Sequence, residues 1–467
     1  GVTGRIRQTT GGLAIEDLRL VNGDQQLSIA GALANDESSP AADGIVVRAE
    51  RVSVGGLFKI LMGEERVKGL LGGEARITGS LADPLVTSRF DIGEGTADGV
   101  PFRSFSGKAD YKSGQAVVDV ALEVDESARL SIVGTVPVAA AEGGGETPLN
   151  VQVSGRIPNV AVLGPSLPWV RDLTGAADVD VVLSGSIEKM LATGTAAMQD
   201  IAFRVPELGA KYKGLNAALR FDETVMVVDR FVILDEDGNQ LRMEGSLDVL
   251  ASGASKAVNL RARADEFILL RNEYGELVVS ADLTAGGDLV TPNVLGTIRV
   301  ERGRVEVDRL LREFVVAQGY IAIGPVGTPP PTKETDVPPV PKMFVESAVS
   351  IELSLPDNVV VRGRGIQTEE GVIGLGDVNL TVGGRLSIRK TPGQEIALFG
   401  ELAAVRGTYE FQGSRFDIAR GSLLRFRGDD MTNPTLDIIA EREIAGVDVT
   451  VRIRGTAAEP ILTLASQ

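Results

Sequence analysis

The stretch VDVTVRIRGTAAEP, residues 447–460, decides how the chain is read. Val447, Val449, Val451 and Ile453 alternate with Asp448, Thr450, Arg452 and Arg454. Successive side chains of an extended strand leave from opposite faces, so one face needs an apolar cover and the other meets water. A glycine, a short polar bridge and a proline come after the run. Near the other end of the chain almost the same phrase stands as ARITGSLADP, with GSLADP at 79–84. A repeated glycine, turn and proline behind alternating strands reads as a unit of construction: the strand ends near glycine, the next residues turn, and proline delays the pairing of the next segment.

The cadence apolar-x-apolar-x-Gly-x-apolar also starts at Leu27, Leu130, Val151, Val181, Leu241 and Ile396. It sets Gly31, Gly134, Gly155, Gly185, Gly245, Gly400 and Gly455 in one position of the phrase. A longer spacing overlies it, because Gly73, Gly175 and Gly275 stand about a hundred residues apart. Each comes after a non-alternating apolar segment, at 54–63, 159–170 and 265–275, which reads as a short helix packed on the sheet. Asp265 is the expected cap of the last. The resulting division is three β repeats with short helices over 1–72, 73–174 and 175–274, then a β segment with a helix at 303–318 within 275–324. A proline-rich loop or linker at 325–341 and a C-terminal β region over 342–467 complete it.

Composition narrows the chemistry. The 467 residues carry a formal net charge of −17, against the surplus of cations that nucleic acid or anionic lipid surfaces demand. Histidine and cysteine are both absent, which excludes imidazole acid–base chemistry, thiol nucleophiles, disulfides and Cys/His metal centres. No phosphate-cradling loop, nucleophile elbow or calcium loop is present, and no cofactor is expected. The carboxylate pairs Glu369/Glu370 and Asp429/Asp430 lack a setting that would raise an acid's pKa and read as solvated surface. The oxygen-rich group Asp429, Asp430, Asn433 and Asp437 has no calcium-loop spacing. The chain opens at Gly1 without methionine and has no apolar run of membrane-spanning length, so it reads as part of a longer protein.

The C-terminal third carries a resemblance. IELSLPDNVVVRGRGIQTEEGVIGLGDVNLTVGG (351–384), VRGTY (405–409), Phe411 and Phe416, Gly421, Phe426, NPTLDI (433–438) and VRIRGTAAEPILTLAS (451–466) together resemble the C-terminal region of the TamB family of bacterial envelope proteins, within the AsmA-like, bridge-like lipid-transfer group. The likeness is firm from about Lys342 and loose from Gly1. It implies an all-β fold: an elongated, folded-over sheet (a β-taco, or open solenoid) with an apolar inner groove and a few short helices. It further implies phospholipid transport from the inner to the outer membrane across the periplasm, with a part in outer-membrane protein assembly. The implied partners are phospholipid acyl chains, an outer-membrane barrel protein of the TamA/BamA type, and the inner membrane through an N-terminal anchor. No catalytic residue carries over. By position, the implied groove is lined by Ile77, Leu81, Ile132, Leu183, Met243, Leu398, Tyr409, Phe411, Val449, Val451 and Ile453. A packed β-solenoid adhesin or structural surface protein is the alternative, and it calls for regular coils of 20–30 residues, which the sequence lacks. A polysaccharide hydrolase ranks last, with one Trp and five Tyr for sugar stacking.

Overall fold

The computed structural model describes residues 1–9, 11–36, 43–56, 67–97, 99–138, 148–186, 188–251, 256–306, 345–367, 374–411, 413–431, 433–444 and 446–466. The loops expected at 35–44 and 139–148 and the apolar segment 54–63 lie largely outside these residues. The described residues form strands almost throughout, mostly in antiparallel succession. The chain divides into two compact units. The first comprises Gly1–Phe203 with Leu215–Asp229 and Asp248–Ala254; the second comprises Arg204–Gly214, Arg230–Leu247 and Ser255–Gln467.

The repeated phrase makes one recurring turn. Leu70–Gly79 and Pro84–Ile92 form a hairpin with Gly79 opposite Pro84, and Val447–Thr456 and Pro460–Ser466 form another with Gly455 opposite Pro460. In the first turn the Ser80 N–H donates to the Asp83 carbonyl at 3.3 Å, while the Asp83 N–H donates to Ser80 Oγ at 3.0 Å. Thr456 and Glu459 repeat both bonds, as do Ser186 and Lys189 in the copy that lacks proline. A hydroxyl at the first turn position closes the loop locally, so proline is dispensable. Where present, it starts the next strand directly opposite the glycine, and pairing begins at once rather than being delayed. Gly79 and Gly455 take φ of 81° and 96°, a region that disfavours side chains bearing a Cβ.

The short helix expected within 159–170 exists as the 3-10 turn Val160–Ser166, capped by Asn159. The one expected at 265–275 does not: Ala257–Asn272 is a single strand. Its register against Gly275–Asp288 shifts between Ala264 and Phe267 and again between Ile268 and Leu270. Glu266 sits there at φ 46°, so Asp265 belongs to a β-bulge and caps nothing. Two bulges turn Phe267 and Ile268 both inward and destroy the alternation, which mimics a helical apolar run.

Bulges recur in the neighbouring strands of the second unit. Pro292–Glu306 is irregular around Glu301, Ala348–Gln367 at Pro356–Asn358, where Asp357 has φ 50°, and Ala397–Phe411 at Val405. In the first unit Asp17 (φ 45°) and Arg51 (φ 55°) mark equivalent shifts in Gly12–Asn22 and Gly44–Ser53. Such bulges bend a strand sharply, and a line of them across adjacent strands is how a broad sheet is made to curve.

Among the described strand pairings one step breaks the antiparallel order. Pro292–Glu306 runs parallel to Ala348–Gln367, with Asn293 opposite Ala348 and Glu306 opposite Arg362. Antiparallel neighbours join through tight turns, whereas a parallel neighbour needs a crossover. The helix expected at 303–318 and the proline-rich segment 325–341 lie between these strands in sequence; residues 303–306 are strand and the rest fall outside the described residues.

Candidate functional site

Strand pairing in the first unit aligns the apolar members of the cadence into continuous rows. Reading across eleven strands, Val2, Leu20, Leu27, Ala49, Gly73, Phe90, Gly107, Val120, Ile132, Val153 and Val181 stand opposite one another in turn. No polar side chain interrupts the row. At about 4.8 Å per strand it extends roughly 50 Å. Phe90 lies between Gly73 and Gly107, where an added Cβ would collide with the paired backbone, nearest at the Arg89 and Asp119 carbonyl oxygens respectively. The ring itself leans on Phe105, with centroids 5.5 Å apart, and packs at the edge of the cluster of Val54, Ile92 and Phe102.

Flanking rows on the same face are nearly as apolar. Gly31, Ile45, Ile77, Val86, Tyr111, Ala116 and Val136 form one, and Ala109, Val118, Gly134, Val151 and Leu183 belong to another. Ile77, Ile132 and Leu183 therefore share one face and are half-buried. Leu81 does not join them: it is 43% exposed in the turn after Gly79, its N–H donating to the Ala34 carbonyl.

The opposite face is charged. Arg48, Glu74, Arg89, Lys108 and Asp119 are successive partners there, with Arg48 Nε bound to Glu74 at 2.9 Å. Together with Ala49, Gly73, Phe90 and Gly107 of the apolar row they line an open cleft of about 710 Å³. At one end of the strands a small sheet of Val67–Lys68, Gly95–Ala97 and Val100–Phe102 covers a local apolar cluster of Val54, Ile92 and Phe102.

In the second unit Met243, Ala262, Leu283, Gly296, Ile351, Ile388 and Leu398 make a comparable row. Beyond the bulges the apolar side chains converge into one buried cluster of fifteen described residues, from Val279 to Val451. Tyr409 and Val451 belong to it, and Leu398, Val449 and Ile453 pack against it. Val382, Ala440 and Val451 are wholly excluded from solvent. Burial pushes the Tyr409 hydroxyl up to about 12. Phe411 pairs through its backbone with Ser414; its side chain lies outside the described residues.

The carboxylates of the oxygen-rich group have other work. Asp437 takes a two-pronged bond from Arg452, at 2.9 and 3.0 Å, and this guanidinium holds its carboxyl below the usual range. Asn433 accepts from the Ala458 N–H, and Asp429 and Asp430 are exposed. Glu369 and Glu370 lie outside the described residues. Among the described residues no cluster of His, Cys, Asp or Glu is suited to a metal ion, and no helix is long and apolar enough to cross a membrane.

The family model for the TamB C-terminal domain matches residues 229–467, just over half of the chain. The chain belongs to the TamB family. A comparison with curated proteins gives no match. TamB proteins are envelope scaffolds rather than enzymes, in keeping with a face built of aliphatic side chains and backbone. The sequence reading missed the device that bends the TamB sheet. Its signal is two polar residues in succession inside an alternating run, as in Glu16-Asp17, Glu50-Arg51 and Asp265-Glu266. Each pair shifts the alternation by one residue, so the apolar side chains on either side resume the same face.

Proposed function

We propose that the apolar face of this TamB-family chain shields phospholipid acyl chains and serves anterograde transport of phospholipid from the inner to the outer membrane. The observation that carries this reading is the uninterrupted row from Val2 to Val181. An apolar face so long, with many members only half-buried, gains about 25 cal/mol for each Å² that a hydrocarbon chain covers. Headgroups remain in water at the strand ends, and movement is driven by lipid occupancy without a covalent step. In this reading the full-length protein works in the periplasm, is held at the inner membrane, and meets an outer-membrane barrel protein of the TamA/BamA type. A part in outer-membrane protein assembly belongs to the same reading, since strand edges accept further strands. The β repeats over 1–72, 73–174 and 175–274 are segments of the conduit.

Mass spectrometry of the purified chain tests this. Co-purifying phospholipid is the expected result, together with its loss in Ile132→Asp at unchanged secondary structure. A lipid-free wild-type chain that also takes up no labelled phospholipid from vesicles would overturn the reading.

A further inference from the structure

We infer that acyl chains are held by the apolar face of the first unit and not by the interior of the second unit between Leu277 and Leu462. The inference rests on the lipid reading above and narrows it to particular residues.

The two apolar faces share a cadence and differ in how they are covered. In the first unit Leu27, Phe90, Ile132 and Val153 of one row, and Ile77 and Val86 of the next, keep partial exposure between buried members such as Ile45, Val120, Val151 and Val181. In the second unit Leu380, Val382, Tyr409, Phe416, Ala440 and Val451 are at most 4% exposed and form one cluster. A side chain on one face of a single sheet reaches such exclusion only when another layer lies on it. In this unit the excluded side chains gather with Val279, Val300, Leu355 and Val359 of other strands into one cluster, while Tyr409 and Phe416, and Ala440 and Val451, stand side by side on paired strands. Interiors packed in this way have no room for a methylene chain unless side chains leave. To admit lipid, this cluster would have to give up its own contacts, whereas the half-buried members of the first unit's rows have water to shed.

Photo-crosslinking distinguishes the two faces. Benzoylphenylalanine is introduced in the whole chain at Phe90 or Ile132, and separately at Tyr409 or Phe416, where it replaces a ring with a ring. Each protein is illuminated with vesicles of radiolabelled phosphatidylethanolamine and phosphatidylglycerol. Lipid adducts are expected at Phe90 and Ile132, and only background at Tyr409 and Phe416. Adducts at Tyr409 or Phe416 equal to those at Phe90 overturn this inference while leaving the lipid reading intact; adducts nowhere overturn both. A second measurement guards against misfolded proteins. Phe90→Gln is expected to lower bound lipid per folded molecule. Phe416→Leu is expected to lower the melting temperature and leave lipid per folded molecule unchanged, and a parallel loss of lipid in Phe416→Leu counts against the inference.

Discussion

The Asp235 carboxylate accepts a 2.8 Å hydrogen bond from the backbone N–H of Ile268, and both residues are fully excluded from solvent. The same carboxylate accepts from the Asn239 backbone and side chain, at 2.8 and 3.1 Å. Ile268 lies at the second bulge of its strand, where ladder pairing lapses. A side chain thus supplies the acceptor that a regular neighbour strand would have offered.

Removing it strands a buried donor. Asp235→Ala is expected to cost about 2–3 kcal/mol, the cost of leaving a buried N–H unpaired plus the lost loop bonds. A urea titration reads this as a lower midpoint at unchanged slope. A midpoint that stays put would show that the bulge does not depend on Asp235.

Val451→Asp puts an unpaired charge where solvent exposure is nil. A loss of about 3–5 kcal/mol is expected, the range for an uncompensated buried charge. Ile132→Asp, on a half-buried position, is expected to cost clearly less by the same thermal denaturation. Equal losses would mean that the two faces are covered alike.

Gly455→Ala meets a φ of 96° and a Glu459 carbonyl oxygen 2.5 Å from the new Cβ. Strain of about 1–3 kcal/mol is expected. Pro460→Ala at the opposite strand start is expected to stay within about 1 kcal/mol, as it alters chiefly the freedom of the unfolded chain. Calorimetry on the two variants checks the order, and a larger loss for Pro460→Ala would reverse the roles assigned to glycine and proline.

Alkali and acid act through different groups. Burial, then the nearby Asp235 and Glu236 charges, push the Tyr212 hydroxyl up to about 12. Its folded value exceeds the unfolded one, so its contribution is whole below about pH 10 and is lost as pH rises towards about 12. Asp437 is depressed, first by its bond to Arg452. Its contribution is present above about pH 4, the unfolded carboxyl value, and fades as pH falls below that. Melting temperature against pH should therefore flatten on the alkaline side in Tyr212→Phe and on the acid side in Asp437→Asn. Unchanged profiles would remove these groups from the account.

The alternation that marks Val447–Ile453 as a strand survives intact in the fold because it is a local property of a two-residue period. The same holds for the glycine turns, whose hydroxyl-closed geometry needs only four residues. The features that the sequence concealed are non-local or break period. Phe267 and Ile268 look helical because two bulges bring consecutive side chains to one side. Ile132 and Val451 carry the same cadence, yet one stays half-buried and the other is sealed, because sealing depends on strands distant in sequence. Nothing near Pro292 or Ala348 announces that these strands run parallel.

That parallel step has a consequence for how the chain assembles. Hairpins set their own register through the turn, and each can zip as soon as its two strands exist. Pro292–Glu306 and Ala348–Gln367 have no such guide, being separated by residues 307–347. Asn358 supplies one: its amide donates to the Val300 carbonyl at 3.1 Å and to that of Glu301, matching bulge to bulge. The second unit therefore forms as two zippers that meet along one seam, and a single amide side chain tells the seam where to close.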